Sequence, residues 1–186
     1  MTAILAKKML TPHPGNKHPP LDIGVKLSLL GSDVLKFEYV VAGPIADLLL
    51  PAKADPERAD NLWQHTCFEA FIRAAGSPAY VEYNFAPSTE WAAYRFDAYR
   101  EGMAPALDLP APHIFVEQDG DSRFTQTVFI DAAALKRAGW CAIALSAVIE
   151  TRDGAKSYWA LAHPPGKPDF HHADCFALKL PAADSE

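Results

Sequence analysis

"TCFEAFIRAAGSPAYVEYNF", residues 66–85, decides the fold. Phe68, Ala70 and Ile72 alternate with Cys67, Glu69 and Phe71, and Val81, Tyr83 and Phe85 alternate with Tyr80, Glu82 and Asn84. A period of two marks a strand, because successive side chains point to opposite faces of the sheet. "GSP" between the two runs is turn chemistry, so the pair reads as two strands of one hairpin. The apolar set of each strand faces a core. Glu69, Glu82 and Asn84 then share the other face.

The same alternation continues in both directions. "IGVKLSLL" turns Val25, Leu27 and Leu29 inward and, after "GSD", "VLKFEYVVAG" turns Leu35, Phe37, Tyr39 and Val41 inward, which makes a hairpin. Residues 114–118 and 123–130 flank "DGDS", another hairpin signal. "CAIALSAVIET", "SYWALAH" and "CFALKL" supply the last strands, while "LLLPAKADPERADN" reads as a loop with a short helical turn. "DAAALKRAG" reads as one short helix near 131–138, with Asp131 at its N-cap and Gly139 after its end. Nine or ten short strands punctuated by 16 prolines and 10 glycines predict an all-β chain, an antiparallel β-sandwich with a closed barrel as the alternative. The expected organisation is one domain over 21–181 between flexible segments 1–20 and 182–186.

Net charge is −6 and no Lys/Arg-rich run occurs, so nucleic acid is not an expected partner. No apolar run approaches the roughly 20 residues needed to span a bilayer, so a membrane is not expected either. The start has lysines inside a short apolar stretch, unlike a secretory signal, and a cytoplasmic location is expected. Cys67, Cys141 and Cys175 are odd in number and widely spaced, which suits buried reduced thiols.

Chemistry concentrates in two places. Glu69, Glu82 and Asn84 offer acceptors and donors for adjacent hydroxyls. If the strand extends back, Trp63 adds a flat ring that would cover the apolar face of a sugar. Trp91 lies at the edge of the same stretch. A solvated sheet face with a packing tryptophan gives the same pattern. The second place is "HPPGKPDFHHADC", with His163, Asp169, His171, His172, Asp174 and Cys175. These are zinc-ligand types at a spacing that matches no structural zinc motif. The stretch reads as an exposed loop, or as a loop closing over the sheet face with His163, Lys167 or His171 bonding a ligand. No G-x-S-x-G elbow surrounds Ser88. Glu69 and Glu82 as a glycosidase pair remain a catalytic option, but non-catalytic binding is the expectation.

"LWQHTCFEAFI", "YVEYNFAPSTEWAAYRFDAYREGM" and "LAHPPGKPDFHH" resemble bacterial DOMON-like proteins, which are similar to family-nine carbohydrate-binding modules and share their β-sandwich. The resemblance covers residues 20 to 180 and is most specific between Leu62 and Met103. It implies a sugar clamped between two tryptophans, Trp63 and Trp159, with hydroxyls bonded by Glu69 and by Asn84 on the next strand. Related domains can hold haem on Met and His. Here only Met1, Met9 and Met103 are available and no attachment motif occurs, so no cofactor is expected.

The expectation is therefore a ligand-binding domain for a sugar or glycoconjugate. Its candidate residues are Trp63, Glu69, Glu82, Asn84, Trp91, Trp159, His163 and His171, with no metal ligand among them. The alternatives are a metal-dependent hydrolase using the 163–175 loop and a scaffold without a small-molecule ligand.

Overall fold

The computed structural model describes residues 1–137 and 139–180. Twelve strands are described: β1 Thr2–Pro12, β2 Asp22–Leu30, β3 Val34–Ala42, β4 Cys67–Ala74, β5 Tyr80–Phe85, β6 Trp91–Phe96, β7 Ala104–Pro105, β8 His113–Asp119, β9 Arg123–Asp131, β10 Trp140–Glu150, β11 Lys156–Ala160 and β12 Leu178–Lys179. One antiparallel sheet has the order β1-β2-β3-β9-β8, and the other β7-β6-β5-β4-β10-β11, with β12 pairing β10. β1 joins them: Leu10 still pairs with Ile23 of β2, whereas Thr11 and Pro12 pair with Ala160 and Trp159 of β11. The architecture is an all-β sandwich.

The core lies between the sheets, where the alternation put it. Ile23, Val25, Leu27, Leu35, Phe37, Tyr39 and Val41 from one sheet meet Phe68, Ala70, Ile72, Val81, Tyr83 and Phe85 from the other, and all are buried. Phe68 stacks on Phe124 at 6.0 Å between ring centroids. Two polar bonds cross the same space. The Tyr39 hydroxyl donates to the Glu69 carbonyl at 2.9 Å, and Gln126 Nε2 donates to the Phe85 carbonyl at 3.0 Å. A buried donor without such an acceptor would cost roughly 1–3 kcal/mol, so these bonds help fix how the sheets meet.

Three expectations need correction or bounding. Residues 2–12, expected inside a flexible segment, form β1. Lys7 and Lys8 are both exposed while Leu10 is buried, so the lysines that broke the apolar run lie within a strand at the sandwich surface. The helix is shorter than expected, Ala133–Arg137, with its entry bonded by Asp131 Oδ1 to the Ala133 N–H at 2.8 Å. Cys67 and Cys175 are buried free thiols. The Cys141 side chain, Ala138 and the tail 182–186 lie outside the described residues.

Gly43, just after β3, has φ +137°, and a Cβ there would sit 2.7 Å from the Pro20 carbonyl oxygen and 2.9 Å from Leu21 Cδ2. Only glycine accepts both the conformation and the close approach. Gly43→Ala is expected to lower stability by about 1–3 kcal/mol, read as a shift in the urea midpoint. An unchanged midpoint would mean that the Pro20–Leu21 entry to β2 yields freely.

Candidate functional site

β4, β5, β6 and β10 are buried on both faces, and the second face is where the polar residues stand. Register sets their arrangement. Glu69 lies directly opposite Asn84 of β5 and Ser146 of β10, Phe71 opposite Glu82, and Glu82 opposite Tyr94 of β6. Glu69, Glu82 and Asn84 are therefore brought together on the face away from the main core. Ser146 Oγ donates to Glu69 Oε2 at 3.2 Å, and Asn84 Nδ2 donates to Glu82 Oε1 at 2.8 Å.

That face is roofed rather than open. The segment 161–177 crosses it as a strap and inserts Phe170, Cys175 and Phe176 among Phe71, Tyr80, Tyr94, Phe96, Ala144 and Val148. Glu69 is 2% exposed and Asn84 0%. Burying each strap phenylalanine stabilises by roughly 1.5–3 kcal/mol. The Arg100–Asp169 ion pair that also pins the strap, at 2.8 Å, contributes about 0–1 kcal/mol. Packing is what holds the strap down.

His171 is the strap residue that reaches the polar face. Its ring meets Phe71 and Phe96 edge-on, each at 5.1 Å. The Arg100 N–H donates to the Tyr80 hydroxyl at 3.2 Å, and that hydroxyl lies 2.7 Å from His171 Nδ1. With Tyr80 donating to Nδ1, the imidazole proton rests on Nε2, which is 3.7 Å from Glu82 Oε2. That spacing is an ion-pair distance only if both groups are charged. Burial pushes Glu82 up to about 7, opposed by the Asn84 bond and the Arg100 charge. Burial, with the Arg100 charge, lowers His171 to about 4. Each is driven toward its neutral form, so between about pH 4 and 7 the contact is one between neutral groups. Glu69 is also raised, by burial and then by the Glu82 charge.

Beside His171 a cleft of about 270 Å³ opens to solvent, lined by Arg73, Pro78, Tyr80, Tyr99, His171, His172, Ala173 and Phe176. Its size is just below the usual range of roughly 300–1,000 Å³ for small-molecule sites and suits a ligand of one ring. A larger groove of about 540 Å³ lies along Lys17–Pro20 and the β10–β11 turn and touches none of the candidate residues.

The other expected site residues fall elsewhere. Trp91 is a main-core residue: odd positions of β6 face the opposite sheet, and the Arg58 guanidinium covers its ring at 4.0 Å. Trp159 is also in the main core, 2% exposed, with its indole N–H donating to Ser157 Oγ at 3.0 Å. Neither is a clamp. Trp63 is not on β4 but on a 3-10 turn, Leu62–Gln64; it is 48% exposed and does not line the cleft. His163 sits at the seam of the sheets, Nε2 bonding the Thr11 carbonyl at 2.8 Å and its ring edge-on to His13. Among the described residues no three metal-ligand side chains gather.

Arg73, Ser146, Tyr99, Arg100 and Phe176 were not anticipated, and Asp169, expected only as a zinc-ligand type, instead pairs with Arg100. Arg73 was within reach, since it continues the Glu69–Phe71 face by one more alternation. Tyr99 and Arg100 lie in a turn, and Asp169 and Phe176 in the strap, where no periodicity signals direction.

No family model matches the chain, and no curated protein matches it. Solved structures do. A Bacteroides uniformis protein described as a "putative carbohydrate-binding protein" is 14% identical with a TM-score of 0.60, over 94% of this chain and 84% of that one. A family 9 carbohydrate-binding module from Caldicellulosiruptor kristjanssonii in complex with cellotriose is 10% identical with a TM-score of 0.53, over 95% and 78%. Another structure of such a module, in complex with glucose, gives 11% and 0.50, over 97% and 79%. At these identities the likeness speaks to architecture, and the chain has the β-sandwich fold of a carbohydrate-binding module.

Proposed function

We propose that this domain binds a sugar or glycoconjugate without transforming it, and that the ligand seats in the cleft beside His171. The observation that carries the reading is the cleft itself. The exposed ring of Tyr99 stands beside the donors of Arg73 and His172, the mixture a pyranose uses. Behind them lie the buried Glu82, Asn84 and Glu69, and the Tyr80 hydroxyl orients His171. The fold is one that sugar-binding modules use, which adds support of a general kind.

A scaffold without a small-molecule ligand is favoured by one observation: the strap fills the sheet face with the chain's own side chains. A glycan array with a thermal-shift panel separates the two, because a ligand stabilises the folded state by mass action. A stabilising saccharide is expected. Tyr99→Ala should then weaken its binding by about 0.5–1.5 kcal/mol through lost stacking, at little cost to folding, since Tyr99 is largely exposed. A complete panel without a hit supports the scaffold.

A further inference from the structure

We infer that the ligand of this cleft carries a carboxylate on its ring, as a hexuronic acid does, and that Arg73 is the residue that reads it. This rests on the saccharide reading above. The chain as a whole is negative, at −6, yet no residue lining the cleft is acidic. Arg73 enters at the end of β4, and its guanidinium carbon lies 4.3 Å from the centroid of the Phe176 ring. Stacking of this kind holds the plane of the guanidinium and leaves its N–H edges to a ligand.

Among the described residues Arg73 makes no side-chain hydrogen bond, unlike four other arginines of the chain. Arg58 donates to the carbonyls of Ala93 and Ala106, Arg152 to that of Ala46, Arg95 to Asp108 and Arg100 to Asp169. Arg73 makes no ion pair among the described residues. His172 adds a second donor: Nδ1 accepts from the Asp174 N–H at 3.2 Å, which leaves Nε2 to donate. A planar guanidinium fork matches a carboxylate through two parallel bonds. A neutral hexose has no group that uses the charge. The wall is therefore built for an acidic ring.

The test is calorimetric titration with glucuronic and galacturonic acid against glucose and galactose, and with acetate as a carboxylate without a ring. The acids should bind about ten- to a hundredfold tighter than the neutral sugars. Arg73→Gln should erase that margin, and Arg73→Lys, which keeps the charge but not the fork, should keep part of it. Added salt should narrow the margin. Circular dichroism and melting of both variants check that the fold is intact. Equal binding of acids and neutral sugars would overturn this inference and leave the saccharide reading standing. Acetate binding as tightly as the uronic acids would leave only an anion site. No binding by any of the sugars would sink both readings.

Discussion

Trp159→Ala should cost about 3–5 kcal/mol of stability, the range for removing a large aromatic from a packed core. Its ring is among the largest fully buried side chains of the main core, meets His18 edge-on at 5.2 Å, and satisfies its N–H on Ser157. For a chain of this length the melting temperature should fall by roughly 6–20 °C. Trp63→Ala should change stability by no more than about 0.5 kcal/mol, because the ring stands half in solvent on its 3-10 turn. Saccharide affinity per folded molecule should be unaffected by Trp159→Ala. A variant that melts normally but loses binding would restore Trp159 to a clamp and refute its core assignment.

The second large effect is a pair of opposite pH dependences. Folded Glu82 loses its proton near 7, whereas an unfolded glutamate does so near roughly 4.3. Between those values the folded chain holds a proton that the unfolded chain has released, so stability falls as pH rises. His171 acts in the other sense. Its folded value is about 4 against roughly 6.5 unfolded, so the unfolded chain holds the extra proton and stability rises with pH. Over pH 4.5–6.5 each contributes about 2–3 kcal/mol, with opposite sign. Glu69, raised by the same burial, adds to the falling side. Glu82→Gln should therefore tilt the stability curve upward with pH relative to the parent, and His171→Gln should tilt it downward. Urea unfolding at pH 4.5 and 6.5 reads both. Parallel curves for all three proteins would show that the buried pair is not held neutral.

The opposed slopes come from one cause, burial of an acid and a base under the same strap. Arg100 matters here as the nearby positive charge that counters the desolvation of Glu82 and adds to that of His171.

The sequence by itself determined the strands and their inner faces. A period of two in "VLKFEYVVAG", "TCFEAFIRA" and "YVEYNF" leaves each side chain only one of two directions, so the buried set and the Glu69–Glu82–Asn84 set were both legible. Hairpin register, which places Asn84 opposite Glu69, follows from the short turn between their strands. Only the tertiary structure decided what covers that second face. The strap from 161 to 177 holds only one 3-10 turn, Ala173–Cys175, and no strand to give its residues a direction, so nothing in "HPPGKPDFHHADC" told His171, which reaches Glu82, from His163, which ends at the sheet seam. Trp91 and Trp159 were misplaced for a related reason: an amphipathic ring suits a clamp and a core equally, and only the packing of one sheet against the other chooses between them. Arg73 carries the same lesson at the cleft. Its face was written in the alternation of β4, but its use depends on Phe176, 103 residues later in the chain, arriving beneath its guanidinium.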